Sequence, residues 1–280
     1  MASMLHLNRL IDLALEEDIG TGDITTETLI PADAEGRAEI VAKEPLVLAG
    51  LAVAQAVFRQ LDPALQFEAT CQDGDQLSPG TCLVTLTGRL QPLLTGERTA
   101  LNFLQRLSGI ATHVHKFLEA LPTGKVRLVD TRKTTPGWRA LEKYAVRIGG
   151  AANHRMSLSD GILIKDNHVA ICGGIRAALE KARRSAPHTL KLEIEVETPE
   201  QAEEAAAAGA DIIMLDNMGP ETIQDAVRRI DGRALVEVSG GVTRDTIADL
   251  AARGVDVVSV GALTHSAVAV DISMNIVNRP

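Results

Sequence analysis

The chain has 280 residues, a formal net charge of −9 and six aromatic side chains: four Phe, one Trp and one Tyr. That length suffices for one large domain or two modest ones, each with a substantial core. The acidic balance argues against a general nucleic-acid or membrane-surface partner, so any basic cluster must be local and is the more informative for it. Cys71, Cys82 and Cys172 show neither metal-ligand spacing nor an even framework, and they fit a reducing cytoplasm as small core hydrophobes.

The first stretch, "MASMLHLNRLIDLALEEDIG", lacks a basic start and a continuous apolar run. It reads as an amphipathic helix and not as a signal segment. "GRAEIVAKEPLVLAG" is strand material, "LAVAQAVFRQL" a short helix, and "QFEATCQDGDQLSPGTCLVTLTG" alternates around Gly, Asp and Pro as antiparallel strands do. A long helix is expected from about Leu93 to Leu121, with a break near Gly109. "LVLAGLAVAQAVF" is too short to span a bilayer. His113 and His115 stand two apart on the long helix and point to different sides, which disfavours a shared metal. The expectation is a soluble, cytoplasmic protein with no nucleic-acid or membrane partner.

From about residue 125 the pattern turns periodic. Six apolar runs, "KVRLVD", "GILIKD", "LKLEIEVE", "ADIIMLD", "ALVEVS" and "VDVVSVG", alternate with helical stretches such as "TPEQAEEAAAAG" and "GPETIQDAVRRI". Repeated strand–helix units predict a parallel sheet, closed as a barrel or open and doubly wound. No G-x-G-x-x-G follows the first run, which weighs against a dinucleotide fold.

Each run is apolar until its end and then turns ionic or glycine-rich. The ends carry Asp130, Thr131, Arg132 and Lys133; Lys165, Asp166 and Asn167; Glu195 and Glu197; Asp216 and Asn217; Ser239, Gly240 and Gly241; and Gly261. In an α/β barrel such ends converge on the face that holds the active site. From Lys125 to His168 there are nine Lys/Arg and four acids. Arg139, Lys143 and Arg147 are spaced by four and read as a solvated helix face. Arg132, Lys133, His154, Arg155 and Lys165 lie at strand ends or in a loop. They suit a small ligand with several negative charges, against the alternative of a structural ion-pair network. Glu195 and Asp216 suit Mg²⁺ or sugar hydroxyls, or else neutralise the cations beside them. "VSGGV" before a helix, with "SVGALT" on the next strand, matches a barrel phosphate site.

"DTRKTTPGWRALEKYAVRIGGAANHRMSLSDGILIKDNH" closely resembles the signature of the quinolinate phosphoribosyltransferases, also called nicotinate-nucleotide pyrophosphorylases (carboxylating). "EEDIGTGDITT", "GERTALNFLQRLSGIAT", "EIEVET", "IMLDNM" and "EVSGGV" resemble that family's blocks in its order, so the likeness spans nearly the whole chain. It implies an α/β protein with an N-terminal α+β sandwich-like domain (1–115) that contributes to dimerisation and to the partner's active site. An incomplete α/β (TIM-like) barrel of six or seven parallel strands (116–270) follows, then a C-terminal segment (271–280) that packs back on the first domain.

The resemblance implies phosphoribosyl transfer from phosphoribosyl pyrophosphate to quinolinate with loss of CO₂, giving nicotinate mononucleotide in NAD biosynthesis. For quinolinate it implies Arg132, His154, Arg155 and Lys165, with Thr131 beside them and Arg98 supplied by a neighbouring subunit. Lys133 and Lys165 fit the pyrophosphate, Glu195 and Asp216 the ribose and a Mg²⁺ held largely through the substrate, and Ser239, Gly240, Gly241 and Gly261 the 5′-phosphate. Lys133, Lys165, Glu195 and Asp216 are the catalytic candidates. The implied assembly is a homodimer with shared sites, a hexamer being the alternative. The nearest rival is a relative of the same fold associated with molybdenum metabolism, which shares much of the basic block. The "NHR" triplet and the complete cation set favour quinolinate. A non-catalytic metabolite-binding protein would need neither the carboxylates at the strand ends nor the phosphate turn.

Overall fold

The computed structural model describes residues 4–122 and 126–278, so Lys125 and the last two residues lie outside it. The chain forms two compact units. One comprises Met1–His115, Thr135–Gly150 and Thr264–Pro280; the other comprises Lys116–Thr134 and Ala151–Leu263.

The first unit holds strands β1 (Glu35–Ala42), β2 (Leu46–Val47), β3 (Gln66–Ala69), β4 (Gln76–Leu77) and β5 (Cys82–Arg89). β1, β3 and β5 belong to a four-stranded antiparallel sheet, while β2 and β4 form a separate ribbon. Helices Met4–Ile19, Ile24–Leu29, Leu51–Leu61, Arg139–Ile148 and Leu90–Ala120 belong to it, the last running through into the second unit. The Leu90–Ala120 helix does not break at Gly109. A Cβ there would come within 2.1 Å of the Val268 carbonyl, so this glycine serves close backbone packing. Leu101, Phe103, Leu104 and Leu107 are buried along this helix, while Arg98 and Asn102 are exposed.

Residues 135–150 were expected in the barrel domain, yet they cluster with the first unit. The cause is local packing. Trp138 stacks on Phe103 with ring centroids 4.7 Å apart, worth about 0.5–1.5 kcal/mol beyond the area buried. Glu142, fully buried, pairs with Arg106 at 2.9 Å. The solvated face expected at Arg139, Lys143 and Arg147 holds only for Arg147; Lys143 is 1% exposed. Four-residue spacing alone does not say which helix face meets solvent.

The second unit contains six parallel strands: β6 (Arg127–Val129), β7 (Ile162–Ile164), β8 (Leu192–Val196), β9 (Ile212–Asp216), β10 (Leu235–Ser239) and β11 (Val257–Ser259). Their order is β6-β11-β10-β9-β8-β7, so the first strand lies beside the last. That closure is the mark of an α/β barrel and is absent from a doubly wound sheet. A parallel bridge from Val129 to Ala152 adds a seventh position outside β6. Among the described residues no ladder joins Ala152 to β7, and the barrel is incomplete there. Strand interiors such as Ile194, Ile213, Leu215 and Val258 are fully buried, as expected for parallel strands covered on both faces. The helices between them start where the sequence signals: Thr198 accepts from the Gln201 amide, with Pro199 opening the helix.

The final strand, β12 (Ile272–Asn278), pairs antiparallel with β1 in the first unit, completing the four-stranded sheet in the order β12-β1-β5-β3. Among the described residues no helix is long and apolar enough to cross a membrane.

Candidate active site

The C-terminal ends of the barrel strands surround a cavity of about 540 Å³. Its wall collects Thr131, Arg132, Lys133, His154, Arg155 and Lys165 together with Glu195, Asp216, Ser239, Gly240, Gly241 and Gly261. Leu163, Met214, Asn217 and Ser259 complete it. Of the site residues that the resemblance implies, Arg98 is not among the lining residues; it sits exposed on the Leu90–Ala120 helix. Glu197, beyond the end of β8, is exposed and outside the lining.

The acid that precedes Thr131, Arg132 and Lys133 anchors a neighbouring loop. Asp130 is fully buried after β6. Its carboxylate accepts from Asn153 Nδ2 at 2.6 Å and from the His154 amide at 2.9 Å. It thereby anchors the "NHR" segment to the strand end. Arg155 donates to the Gly161 carbonyl at 3.0 Å, and the Met156 amide donates to Asp160 at 2.7 Å, which ties the loop back on itself. Burial, then the charge of Arg132, push the Arg155 guanidinium below its ordinary pKa, while Glu193 pulls the other way. Two adjacent guanidinium groups in one cavity favour an anionic occupant.

Lys165 Nζ lies 2.5 Å from Glu195 Oε2. Asp216 is raised above the usual carboxylate range by burial and then by the charge of Glu195, with Asn217, Lys165 and Lys133 opposing. Two carboxylates that repel each other at neighbouring strand ends are a fitting donor set for a divalent cation or for sugar hydroxyls. The pair with Lys165 is the neutralising role weighed for Glu195.

The glycine turn is built for close approach. Gly240 has φ +91°, and a Cβ there would fall 2.1 Å from Asn217 Oδ1. Asn217 itself sits at φ 53°, its amide donating to the Ser239 carbonyl at 3.0 Å and its Nδ2 to Asp216 at 2.8 Å. Gly241, at φ +63°, faces open space. Asn217 thus braces both the diglycine turn and Asp216. The sequence signal for it was its place directly after a site acid at a strand end.

Beneath the mouth, a second cavity of about 410 Å³ shares His154 and Arg155 and is also lined by Glu193 and Glu237. These two acids lie inside β8 and β10, two residues before Glu195 and Ser239. An acid within an otherwise apolar strand was the signal that could have found them. Burial, then the charge of Glu193, raise the Glu237 carboxyl to about 7, against His154 and the Ser259 hydroxyl.

Fold and site together define an α/β-barrel enzyme for a small polyanionic substrate. Comparison with known proteins makes the class specific. Family models for the quinolinate phosphoribosyl transferase N-terminal and C-terminal domains match residues 23–108 and 110–275. A probable nicotinate-nucleotide pyrophosphorylase (carboxylating) from Bacillus subtilis is 45% identical over 97% of this chain and 94% of its own. A crystal structure of NadC from Streptococcus pyogenes superposes with a TM-score of 0.94 at 43% identity, covering 99% of each chain. The nicotinate-nucleotide pyrophosphorylase structure from Francisella tularensis gives 0.95 at 39%, covering 99% of this chain and 98% of its own. The chain belongs to the quinolinate phosphoribosyl transferase family.

Proposed function

We propose that the mouth of the barrel transfers the phosphoribosyl group of phosphoribosyl pyrophosphate to quinolinate, with release of pyrophosphate and CO₂ to give nicotinate mononucleotide. The observation that carries this reading is the gathering of Arg132, Lys133, Arg155, Lys165, Glu195, Asp216 and the Ser239–Gly241 turn in one cavity.

Quinolinate carries two adjacent carboxylates, and Arg132 and Arg155 are the paired cations to receive them. Each charge-assisted bond contributes about 1.5–3 kcal/mol. The turn at Ser239–Gly241 presents backbone N–H groups to the 5′-phosphate. Lys133 and Lys165 face the pyrophosphate. As the anion arrives, Lys165 exchanges Glu195 for it, and Glu195 and Asp216 are released to the ribose hydroxyls and to Mg²⁺. The Mg²⁺ would supply charge neutralisation for the departing pyrophosphate. Positive charge grows on the sugar as that bond breaks, and the pyridine nitrogen attacks. The ring nitrogen is then cationic and stabilises the carbanion left at C2 when the carboxylate departs as CO₂; a proton completes the product. No enzyme nucleophile is required, so positioning and electrostatics carry the catalysis.

The working protein is read as a cytoplasmic homodimer in which Arg98 of each chain completes the other's site. The molybdenum-associated alternative is disfavoured by the names of the relatives. The test is to incubate protein, quinolinate, phosphoribosyl pyrophosphate and Mg²⁺ and to follow nicotinate mononucleotide and CO₂. Formation of both in equal amounts supports the reading, and neither forming would overturn it.

A further inference from the structure

The His154 Nε2 atom lies 3.3 Å from the Glu193 carboxylate and 3.6 Å from Glu237 Oε1. Glu193 and Glu237 are 5% and 3% exposed, and Glu237 Oε1 has no hydrogen-bond partner. One imidazole and two carboxylates, with ligand atoms within 4.8 Å of one another, have the composition of a cation site. The other ring nitrogen argues against that. The Arg155 amide donates to His154 Nδ1 at 2.8 Å. A backbone N–H cannot reverse its role, so Nδ1 carries no proton. The single proton of the neutral ring must then sit on Nε2. A protonated Nε2 cannot ligate a metal; histidine ligands carry their proton on the non-ligating nitrogen, where it is donated outward.

We propose that Glu193 and Glu237 are positioning residues that flank His154, Glu193 accepting its Nε2–H and Glu237 closing the other side of the ring, and that they lock the ring in the floor of the mouth, so that the neighbouring Arg155 is held where it meets the substrate carboxylates. This rests on the reading of the mouth as the quinolinate site. It changes what His154 does there: both ring nitrogens are engaged by the protein, and the residue acts through Arg155. The chain of contacts is continuous. Asp130 holds the His154 amide, the His154 ring holds the Arg155 amide, and Glu193 holds the ring, with Glu237 packed 3.6 Å from the same nitrogen. Glu193 also offsets the repulsion between Arg155 and Arg132. Burial favours the protonated form of Glu237. The other charged groups around this interior are Arg127, Asp160 and Lys191.

Three readouts test this. In protein labelled with ¹⁵N-histidine, the His154 resonances (assigned by their loss in His154→Gln) should show a neutral ring protonated at Nε2 at about pH 8. Glu193→Gln and Glu237→Gln, which keep the side-chain shape, should each raise the KM for quinolinate roughly tenfold. The KM for phosphoribosyl pyrophosphate should stay within about twofold. An Nδ1–H tautomer or an imidazolium in the unmodified protein would overturn the proposal, as would an unchanged quinolinate KM in both variants. One equivalent of Zn²⁺ or Co²⁺ retained by the unmodified protein and lost in Glu237→Gln would also overturn it, in favour of a cation site. The tautomer needs no turnover, so failure of the substrate reading would show separately, as absence of nicotinate mononucleotide.

Discussion

Lys165 Nζ sits 2.5 Å from Glu195 Oε2, across the adjacent parallel strands β7 and β8. Lys165 is about half exposed, so the pair is screened and contributes no more than about 1 kcal/mol. An incoming pyrophosphate can therefore displace Glu195 at small cost. Glu195→Gln should lower kcat/KM for phosphoribosyl pyrophosphate by roughly a hundredfold. Quinolinate binding, measured alone by calorimetry, should change by less than about threefold. Equal losses for both ligands would assign Glu195 a structural role.

Gly240 allows a second test, because its geometry is steric and local. A methyl group there would collide with Asn217 Oδ1 at 2.1 Å, and the φ of +91° is strained for any L side chain. Gly240→Ala should cost about 1–3 kcal/mol of stability in denaturant unfolding. It should also raise the KM for phosphoribosyl pyrophosphate more than that for quinolinate. Gly241→Ala meets open space and pays only for its φ of +63°, so it should destabilise less.

Much of this site was legible because the six runs each end where polarity begins, and the strands of the barrel fall inside those runs. A buried parallel strand must be apolar on both faces, so the first charged residue marks its exit into the mouth. Arg132, Lys165 and Asp216 were found that way. Glu193 and Glu237 were not, because they lie within the strands and face the barrel interior, where the rule predicts apolar side chains. The clustering of residues 135–150 with the first unit was not legible for a different reason. Their attachment to the first unit depends on Trp138 meeting Phe103 and Glu142 meeting Arg106, contacts between residues 35 or more positions apart that no local pattern encodes.

The elevated Glu237 pKa makes a pH prediction. Its folded value is about 7 against an ordinary 4.5, so the fold favours the protonated acid. This contribution is fully present below about pH 4.5 and is lost as pH rises through about 7. Thermal unfolding should show the loss in the unmodified protein, and Glu237→Gln should flatten it. An identical pH profile in the two would mean that Glu237 is ionised in the fold at neutral pH.

Arg98 tests the proposal that each site is shared between two chains. It is exposed on the Leu90–Ala120 helix and does not line the mouth of its own chain. Arg98→Ala and Lys133→Ala should each be nearly inactive. Unfolded, mixed and refolded together, they form about half heterodimers by random pairing, with one site carrying both defects and the other neither. Activity should return to roughly a quarter of the unmodified level if the sites act independently. No recovery despite demonstrated heterodimers would place Arg98 outside the partner's site.

The claim that the paired guanidinium groups read two carboxylates is tested most directly by one ratio: kcat/KM for quinolinate over that for nicotinic acid, which lacks the 2-carboxylate, at saturating phosphoribosyl pyrophosphate and Mg²⁺. Losing one charge-assisted contact of about 1.5–3 kcal/mol predicts a preference for quinolinate of at least roughly ten- to a hundredfold, and an Arg155→Ala variant should lose most of it. Equal turnover of the two acids by the unmodified protein would contradict the account.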